Sequence, residues 1–420
     1  MSFSSFGNKF TQHSGITQLM DDLNDGIRGG DDVLMLGGGN PAAIPEIQQI
    51  FQDKLQQLNE SGELINALSN YDGPQGKDTF LNALATLFSD LYGWGISSKN
   101  IALTNGSQTA FFYLFNLFAG KQQNGQHKKV MFPLAPEYIG YADATLDENV
   151  FIANKPNIED IGEGLFKYRV DFENLNVTDD IGLICVSRPT NPTGNVITDN
   201  EVIKLDAIAK QNGIPLIIDN AYGTPFPNII FEDVTPIWND NIILCLSLSK
   251  LGLPGARCGI VIANEKTIQA MTNLSGIIAL SPGSIGPELA LPFVQDKSIL
   301  AMSKDIVRPF YQQRAQYAVH LLQSLIKVPG FKIHKPEGAI FLWLWFEGLP
   351  ISSQELYQRL KQQGVLIVPG HYFFPGLEED WPHAHECIRM NYSQSQRDVT
   401  KGIEIIAKEI NAIYKYPAEK

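Results

Sequence analysis

The chain has 420 residues, 44% of them hydrophobic, enough to bury a large core spread over two or three structural units. Its 32 basic and 45 acidic residues give a formal net charge of -13, which disfavours a surface for nucleic-acid backbones but leaves room for local basic pockets that take small anions. The N-terminal "MSFSSFGNKFTQHSG" lacks a cationic stretch followed by an apolar run, and stretches such as "GAIFLWLWF" are too short to cross a bilayer, so a cytoplasmic protein is expected.

In chain order, residues 1–45 are rich in Gly, Asn and Pro and read as an arm and loop belonging with a smaller domain, ahead of a first long helix. Residues 46–295 read as the large domain. Within them, from about residue 100 to 265, short apolar runs alternate with amphipathic ones: "IALTN", "KVMFP", "IGLICVS", "IPLIIDN", "IILCLS" and "GIVIA" are strand candidates. "GSQTAFFYLFNLF" and "DNEVIKLDAIAKQNG" between them have helical spacing. The pattern predicts an α/β fold whose mostly parallel sheet is covered by helices on both faces. Residues 296–420 change texture, with one long helix followed by "FKIHKP", "AIFLWLWF", "VLIVPG" and "CIRMNYS", and read as a smaller α+β domain. Cys185, Cys245, Cys258 and Cys387 are widely spaced within apolar runs and are expected to be reduced and structural, with no metal site.

Ligands of open α/β sheets bind beyond the carboxyl ends of the strands, so the residues there are the informative ones. After "IALTN", Gly106-Ser107-Gln108 opens a helix, which is either an ordinary serine cap or a cradle for an anion. After "IGLICVS", Asn191 stands between two prolines in a rigid turn. Asp219 ends "IPLIID" and needs a cation or donor at the sheet edge, with Tyr222 three residues on. Lys250 follows "IILCLSLS"; a lysine desolvated there loses proton affinity and becomes a usable nucleophile toward an aldehyde, whereas an isolated lysine would snorkel outward.

Taken in order, "PTNPTGN", "DNAYG" and "SLSKLGLPGARCG" resemble the fold-type I, pyridoxal-phosphate-dependent aminotransferases of the aspartate aminotransferase superfamily. The resemblance runs from "GGGNP" at 37–41 to "IRMNYS" at 388–393. It implies that Lys250 is the catalytic lysine that links to the aldehyde of pyridoxal 5'-phosphate and later moves the substrate proton. It assigns Asp219 to the ring nitrogen, Tyr222 and Asn191 to the phenolic oxygen, and Ser107, Gln108, Ser247 and Arg257 to the phosphate. Tyr138 in "PEYIGY" matches the residue that stacks on the ring, with Tyr141 the competing candidate. Tyr71 in "SNYDGPQG" matches the tyrosine that reaches the neighbouring subunit's phosphate, which implies a homodimer. Arg389, with Gly39 of "GGGN" and Asn191, would bind the substrate carboxylate.

The arm "HSGITQLMDDL", "LAPEYIGYAD" and "VPGHYFFPG" narrow the resemblance to a subgroup acting on small aliphatic amino acids and 2-oxo acids, with Ile16, Leu19 and Tyr138 as expected lining of the side-chain pocket. The same cofactor site would also support transamination of aromatic substrates or 2-aminoadipate, or β-elimination from cysteine conjugates. A regulator built on this fold would need an added DNA-binding domain, and the roughly 40 residues before the first motif are too few and not basic.

Overall fold

In the computed structural model, which describes residues 2–12, 14–29 and 33–415, the strand candidates assemble into two large sheets and a two-stranded one. The larger, eight-stranded sheet runs Ile101–Asn105, Cys258–Ile262, Ile242–Ser247, Leu216–Asp219, Ile181–Ser187 and His127–Phe132, with Phe151–Ala153 beyond and Gly120–Lys121 completing an edge hairpin. From Ile242–Ser247 to Phe151–Ala153 the neighbours are parallel, and Cys258–Ile262 is antiparallel to both strands beside it. The central strands are apolar throughout because both faces are covered; all seven residues of Ile181–Ser187 are buried. Helix Ser107–Phe118 covers one face with Ala110, Phe111, Leu114 and Phe115. Helix Asp199–Gln211 begins in a capping box between Thr198 and Glu201 and buries Val202 and Leu205 in the main core.

Register places the chemistry. Ser187 and Cys245 both pair with Asp219, Ser247 pairs with Gly259, and Cys258 pairs with Asn105. Asn105, Ser187, Asp219 and Ser247 therefore end their strands along one edge of the sheet.

The second, six-stranded sheet runs Val368–Pro369, Cys387–Asn391, Phe341–Phe346, Phe331–His334, Leu165–Arg169 and Asn157–Gly162. Its last two strands come from inside the 46–295 segment, so a boundary at 295/296 does not separate the two sheets. The hairpin 157–169 joins by parallel pairing of Leu165 and Phe166 with Ile333 and His334. Phe166 and Tyr168 are fully buried against His334, and Phe166 also meets Trp345. Lys167, equally buried, pairs with Glu337 and donates to Asn195 Oδ1 (3.2 Å) and Val196 O (3.0 Å). That ties the hairpin to the turn that carries Asn191.

The N-terminal arm is more ordered than a loop, with helices at Ser5–Phe10 and Gly15–Gly29; residues 1, 13 and 30–32 of it lie outside the described residues. Leu34–Met35 pairs in parallel with Val365–Leu366. The helix Gly15–Gly29 is held by Tyr357 Oη and Lys361 Nζ, both donating to Asp22 (2.7 Å each), and by Tyr372 Oη donating to Gln18 (2.7 Å). All four cysteines are buried and free of disulfides. Among the described residues no helix is long and apolar enough to cross a membrane.

Candidate active site

At the carboxyl edge of the large sheet lies a cavity of about 250 Å³. It is lined by Ser107, Gln108, Tyr138, Asn191, Asp219, Tyr222, Ser247, Lys250, Arg257, Gly39 and Arg389, which are all the expected site residues except Tyr71. Ile16 and Leu19 also reach it from the N-terminal helix. Tyr71 is 82% exposed on the turn after helix Glu63–Ser69 and is not part of this cavity.

One end is built to take an anion. Gly106, at φ +83, turns the chain into helix Ser107–Phe118 and leaves its first turn without a side-chain cap. A Cβ at Gly106 would run into the Arg257 guanidinium, which therefore lies across the helix N-terminus. Arg257 itself occupies the left-handed region (φ 47) and touches Pro254 O at 3.3 Å. Ser247 is buried beside it, its Oγ accepting from Ser249 N (3.1 Å). The Gln108 side chain is turned elsewhere: its Nε2 donates to Gly140 O (2.8 Å) and its Oε1 is buried without a partner. That leaves its main-chain N–H, in the uncapped first turn of the helix, as the group it can offer an anion.

Lys250 sits in the short turn Ser249–Leu251 that the strand Ile242–Ser247 feeds, closed by Gly252 in the left-handed region. Its Nζ donates to Gly39 O (2.6 Å) and lies 5.3 Å from the Tyr222 ring centre. Burial, seconded by the positive charges of Arg389 and Arg257, lowers its pKa to about 8, against the opposing pull of Asp219. The two arginines thus help burial to bring the amine's pKa toward neutrality.

Asp219 receives two hydrogen bonds, from Tyr141 Oη to Oδ2 (2.6 Å) and from Ala221 N to Oδ1 (3.0 Å). Burial raises its pKa, and the Tyr141 hydrogen bond opposes that rise. The two tyrosines of "PEYIGY" are thereby separated. Tyr138 lines the cavity, given room by Gly140, where a Cβ would meet the Tyr138 ring; Tyr141 is fully buried behind Asp219.

Arg389, in the middle of the second sheet, is 1% exposed and sandwiched between Phe341 and Phe373, its guanidinium carbon 4.0 and 5.0 Å from their ring centres. Nη1 donates to Asn191 Oδ1 (2.8 Å), Nη2 donates to Gly37 O (2.5 Å), and Nε is buried without a partner. Among the described residues it has no acidic partner, and burial lowers its pKa to about 10, so it is charged at neutral pH. With its oxygen engaged by Arg389, Asn191 retains its NH2 group as a donor toward the cavity. The loop 37–40 is stitched down through its carbonyls: Gly38 O accepts from Asn391 Nδ2 (2.5 Å) and Asn40 O from Ser393 Oγ (2.7 Å). Nothing lies within 4 Å of a Cβ at Gly39, so that glycine borders open space.

The lining holds three cations, Lys250, Arg257 and Arg389, against the one carboxylate of Asp219. It suits a ligand with an anionic group at each end, or two anionic molecules, and an aldehyde next to the lysine. Sequence reasoning missed Met20 and Ser249, which also line the cavity. Met20 stands four residues after Ile16 and next to Leu19, and this helical spacing was the signal for it.

The aminotransferase class I and II family model matches residues 32–406. The valine–pyruvate aminotransferase of Escherichia coli is 60% identical over 98% of both chains. Among solved structures, the valine–pyruvate aminotransferase of Salmonella typhimurium matches with a TM-score of 0.88 and 57% identity over 96% of this chain and 100% of that one. A putative amino-acid aminotransferase from Psychrobacter arcticum matches with a TM-score of 0.96 and 48% identity over 99% of both chains.

Proposed function

The chain belongs to the class I and II aminotransferases, and from that premise we propose that it moves the amino group of L-valine to pyruvate, giving 3-methyl-2-oxobutanoate and L-alanine. Pyridoxal 5'-phosphate, the cofactor of this family, supplies an aldehyde that takes up the amino group and a ring that draws electrons from the substrate Cα. The residues present suit it. Arg257, Ser107, Ser247 and the N-terminus of helix Ser107–Phe118 are the phosphate cradle, with the Gly106 position kept clear for the guanidinium. Asp219 would pair with the ring nitrogen, Tyr222 and the Asn191 NH2 would donate to the phenolic oxygen, and Tyr138 would cover a face of the ring.

Lys250 has two tasks in this reading: it anchors the aldehyde between turnovers, and it takes and returns the proton at the substrate Cα. An amine with a pKa of about 8 is suited to both, since it gives up and regains a proton near neutral pH. Arg389 holds the α-carboxylate with its two-pronged guanidinium, aligned by Asn191 and Gly37 O.

The substrate choice rests on one observation. The lining contains two arginines, one for each anionic group named above, and Ile16, Leu19 and Met20 border the remaining space. Among the described residues a side-chain carboxylate finds no third arginine there, whereas a branched aliphatic side chain finds apolar contacts; the names of the two valine–pyruvate relatives support the same choice. The purified protein, loaded with cofactor and mixed with valine and pyruvate, should form alanine, and aspartate should be a much poorer amino donor. Absence of alanine, with pyruvate released instead from cystathionine, would reassign the chain to β-elimination.

We further propose a homodimer in which Tyr71 completes the neighbour's phosphate site. Tyr71 projects from its own chain, and Ile65 and Leu68 on the preceding helix are 64% and 63% exposed, an apolar surface suited to a second copy. Lys250→Ala and Tyr71→Ala chains should each be impaired alone and regain activity when their subunits exchange, because one site of the hybrid is then intact. Activity equal to the mean of the two separate preparations would place Tyr71 at its own site or at none.

A further inference from the structure

Behind Asp219, on its far side from the cavity, lies a carboxyl group that the reaction above does not use. Glu137 is 0% exposed. Its Oε1 accepts from Ser187 N (2.8 Å) and its Oε2 lies 2.5 Å from Ser187 Oγ. Ser187 Oγ is 3.4 Å from Tyr141 Oη, and Tyr141 Oη donates to Asp219 Oδ2 at 2.6 Å. Four side chains thus stand in line, ending at the carboxylate that faces the cavity. The groups around Glu137 are the Ser187 end of strand Ile181–Ser187, Cys185 on the same strand, Asp219 on the next strand, Tyr141, and the N–H of Tyr138. Its own N–H is spent on Phe373 O. Among the described residues no lysine, arginine or histidine forms an ion pair with it.

Two buried carboxylates in one dry region, with no cation between them, are unfavourable as a doubly charged pair. The hydroxyls decide which of the two keeps its charge, because each has a single hydrogen to donate. With Glu137 ionised, the Ser187 hydrogen points to Glu137 and none is available between Ser187 and Tyr141. With Glu137 protonated, every hydrogen runs one way: Glu137 to Ser187 Oγ, Ser187 to Tyr141 Oη, Tyr141 to Asp219.

We propose that Glu137 carries a proton in the working enzyme and acts as a positioning residue, starting a one-way donor chain through Ser187 and Tyr141 that fixes the pair's negative charge on Asp219. Burial and the nearby Asp219 hold the pKa of Glu137 up at about 8, above neutral, in agreement with the direction of the chain. The inference rests on the reading of Asp219 as the partner of the cofactor's ring nitrogen, and it says which way the hydroxyls behind that residue point.

Infrared difference spectroscopy on the cofactor-loaded enzyme tests it. The parent minus Glu137→Gln should show the carbonyl band of a protonated carboxylic acid at pH 6.5, shifted in heavy water and fading as the pH passes about 8. The glutamine amide can copy the protonated acid, its oxygen accepting from Ser187 N and its NH2 donating to Ser187 Oγ, so the absorption band of the bound cofactor should keep its position at that pH. Ser187→Ala, which retains Glu137 and removes its acceptor, should shift the acid band and supplies the test if the glutamine variant does not fold. Asp219→Asn should move the fading of the band to lower pH, because the repelling charge is gone. No acid band at pH 6.5, a band that survives in Glu137→Gln, a band unshifted by Ser187→Ala, or a midpoint unmoved by Asp219→Asn overturns the proposal. Failure of the Asp219 assignment reads out separately, as an Asp219→Asn enzyme whose cofactor absorbs as in the parent.

Discussion

Replacing Lys250 with alanine should reduce turnover by at least about 10²–10⁴-fold, the range a positioned proton-transfer group contributes, while leaving the chain folded. The loss follows from what surrounds the residue. The buried amine has Gly39 O as its hydrogen-bond acceptor, the Tyr222 ring beside it, and two arginine charges that disfavour its protonated form. Among the described residues no other lysine lines the cavity to replace it. Borohydride treatment should fix pyridoxal phosphate to the parent chain and not to the variant, as read by intact mass; fixation in Lys250→Ala would show that another amine carries the role. The pH dependence carries a sign. Only the neutral amine reacts with an aldehyde, so the rate at which the cofactor-free chain takes up pyridoxal phosphate should rise about tenfold per pH unit and level off above about 8. A lysine of ordinary basicity would still be gaining rate near pH 10.

Much of this site was legible because strand ends carry it. "IGLICVS", "IPLIID" and "IILCLS" are apolar runs buried on both faces, each followed by polar residues, and a parallel sheet puts such ends side by side without any side-chain information. The hairpin 157–169 was not legible for the opposite reason. Asn157–Gly162 is mostly exposed, and its companion strand finds its other partner at Phe331–His334, far along the chain, where no local periodicity reports the pairing. Tyr138 and Tyr141 sit in the same motif, and either ring suits a cofactor's face in sequence; the turn Ile139–Tyr141 and the Asp219 carboxylate decide between them by drawing the Tyr141 hydroxyl behind the cavity. Glu137 follows a proline and carries no local sign of its burial. Its burial comes from Ser187 and from the Phe373 segment, neither of them near in sequence. The segment 1–45, expected as an arm and loop that supply Ile16 and Leu19 to the pocket, holds an amphipathic helix that brings Ile16, Leu19 and Met20 to the cavity because distant Tyr357, Lys361 and Tyr372 hold it there.

Replacing Arg389 should strike substrate binding and spare cofactor binding. The guanidinium is fully buried, aligned by Asn191 and Gly37 O, and braced between Phe341 and Phe373, so little of its geometry has to be organised when a carboxylate arrives. Truncating one partner of a buried charged pair costs about 2–5 kcal/mol, so Arg389→Ala should lower kcat/KM by a factor from about 30 to several thousand. Arg389→Lys keeps the charge but loses the planar fork and its stacking between the two rings, and should recover only part of the loss. Valine and pyruvate both carry the carboxylate, so both half-reactions should fall together when each is followed by the cofactor's absorbance. Arg257, Ser107 and Ser247, proposed above to hold the phosphate, are untouched, and cofactor retention on dialysis should match the parent. Because the guanidinium pKa is lowered to about 10, the charge is complete at neutral pH and is lost as pH rises through that value; kcat/KM for valine should therefore fall on the alkaline side near pH 10. A variant whose valine half-reaction is unimpaired would mean that the carboxylate is gripped elsewhere and that Arg389 serves to hold the loop 37–40 against the second sheet.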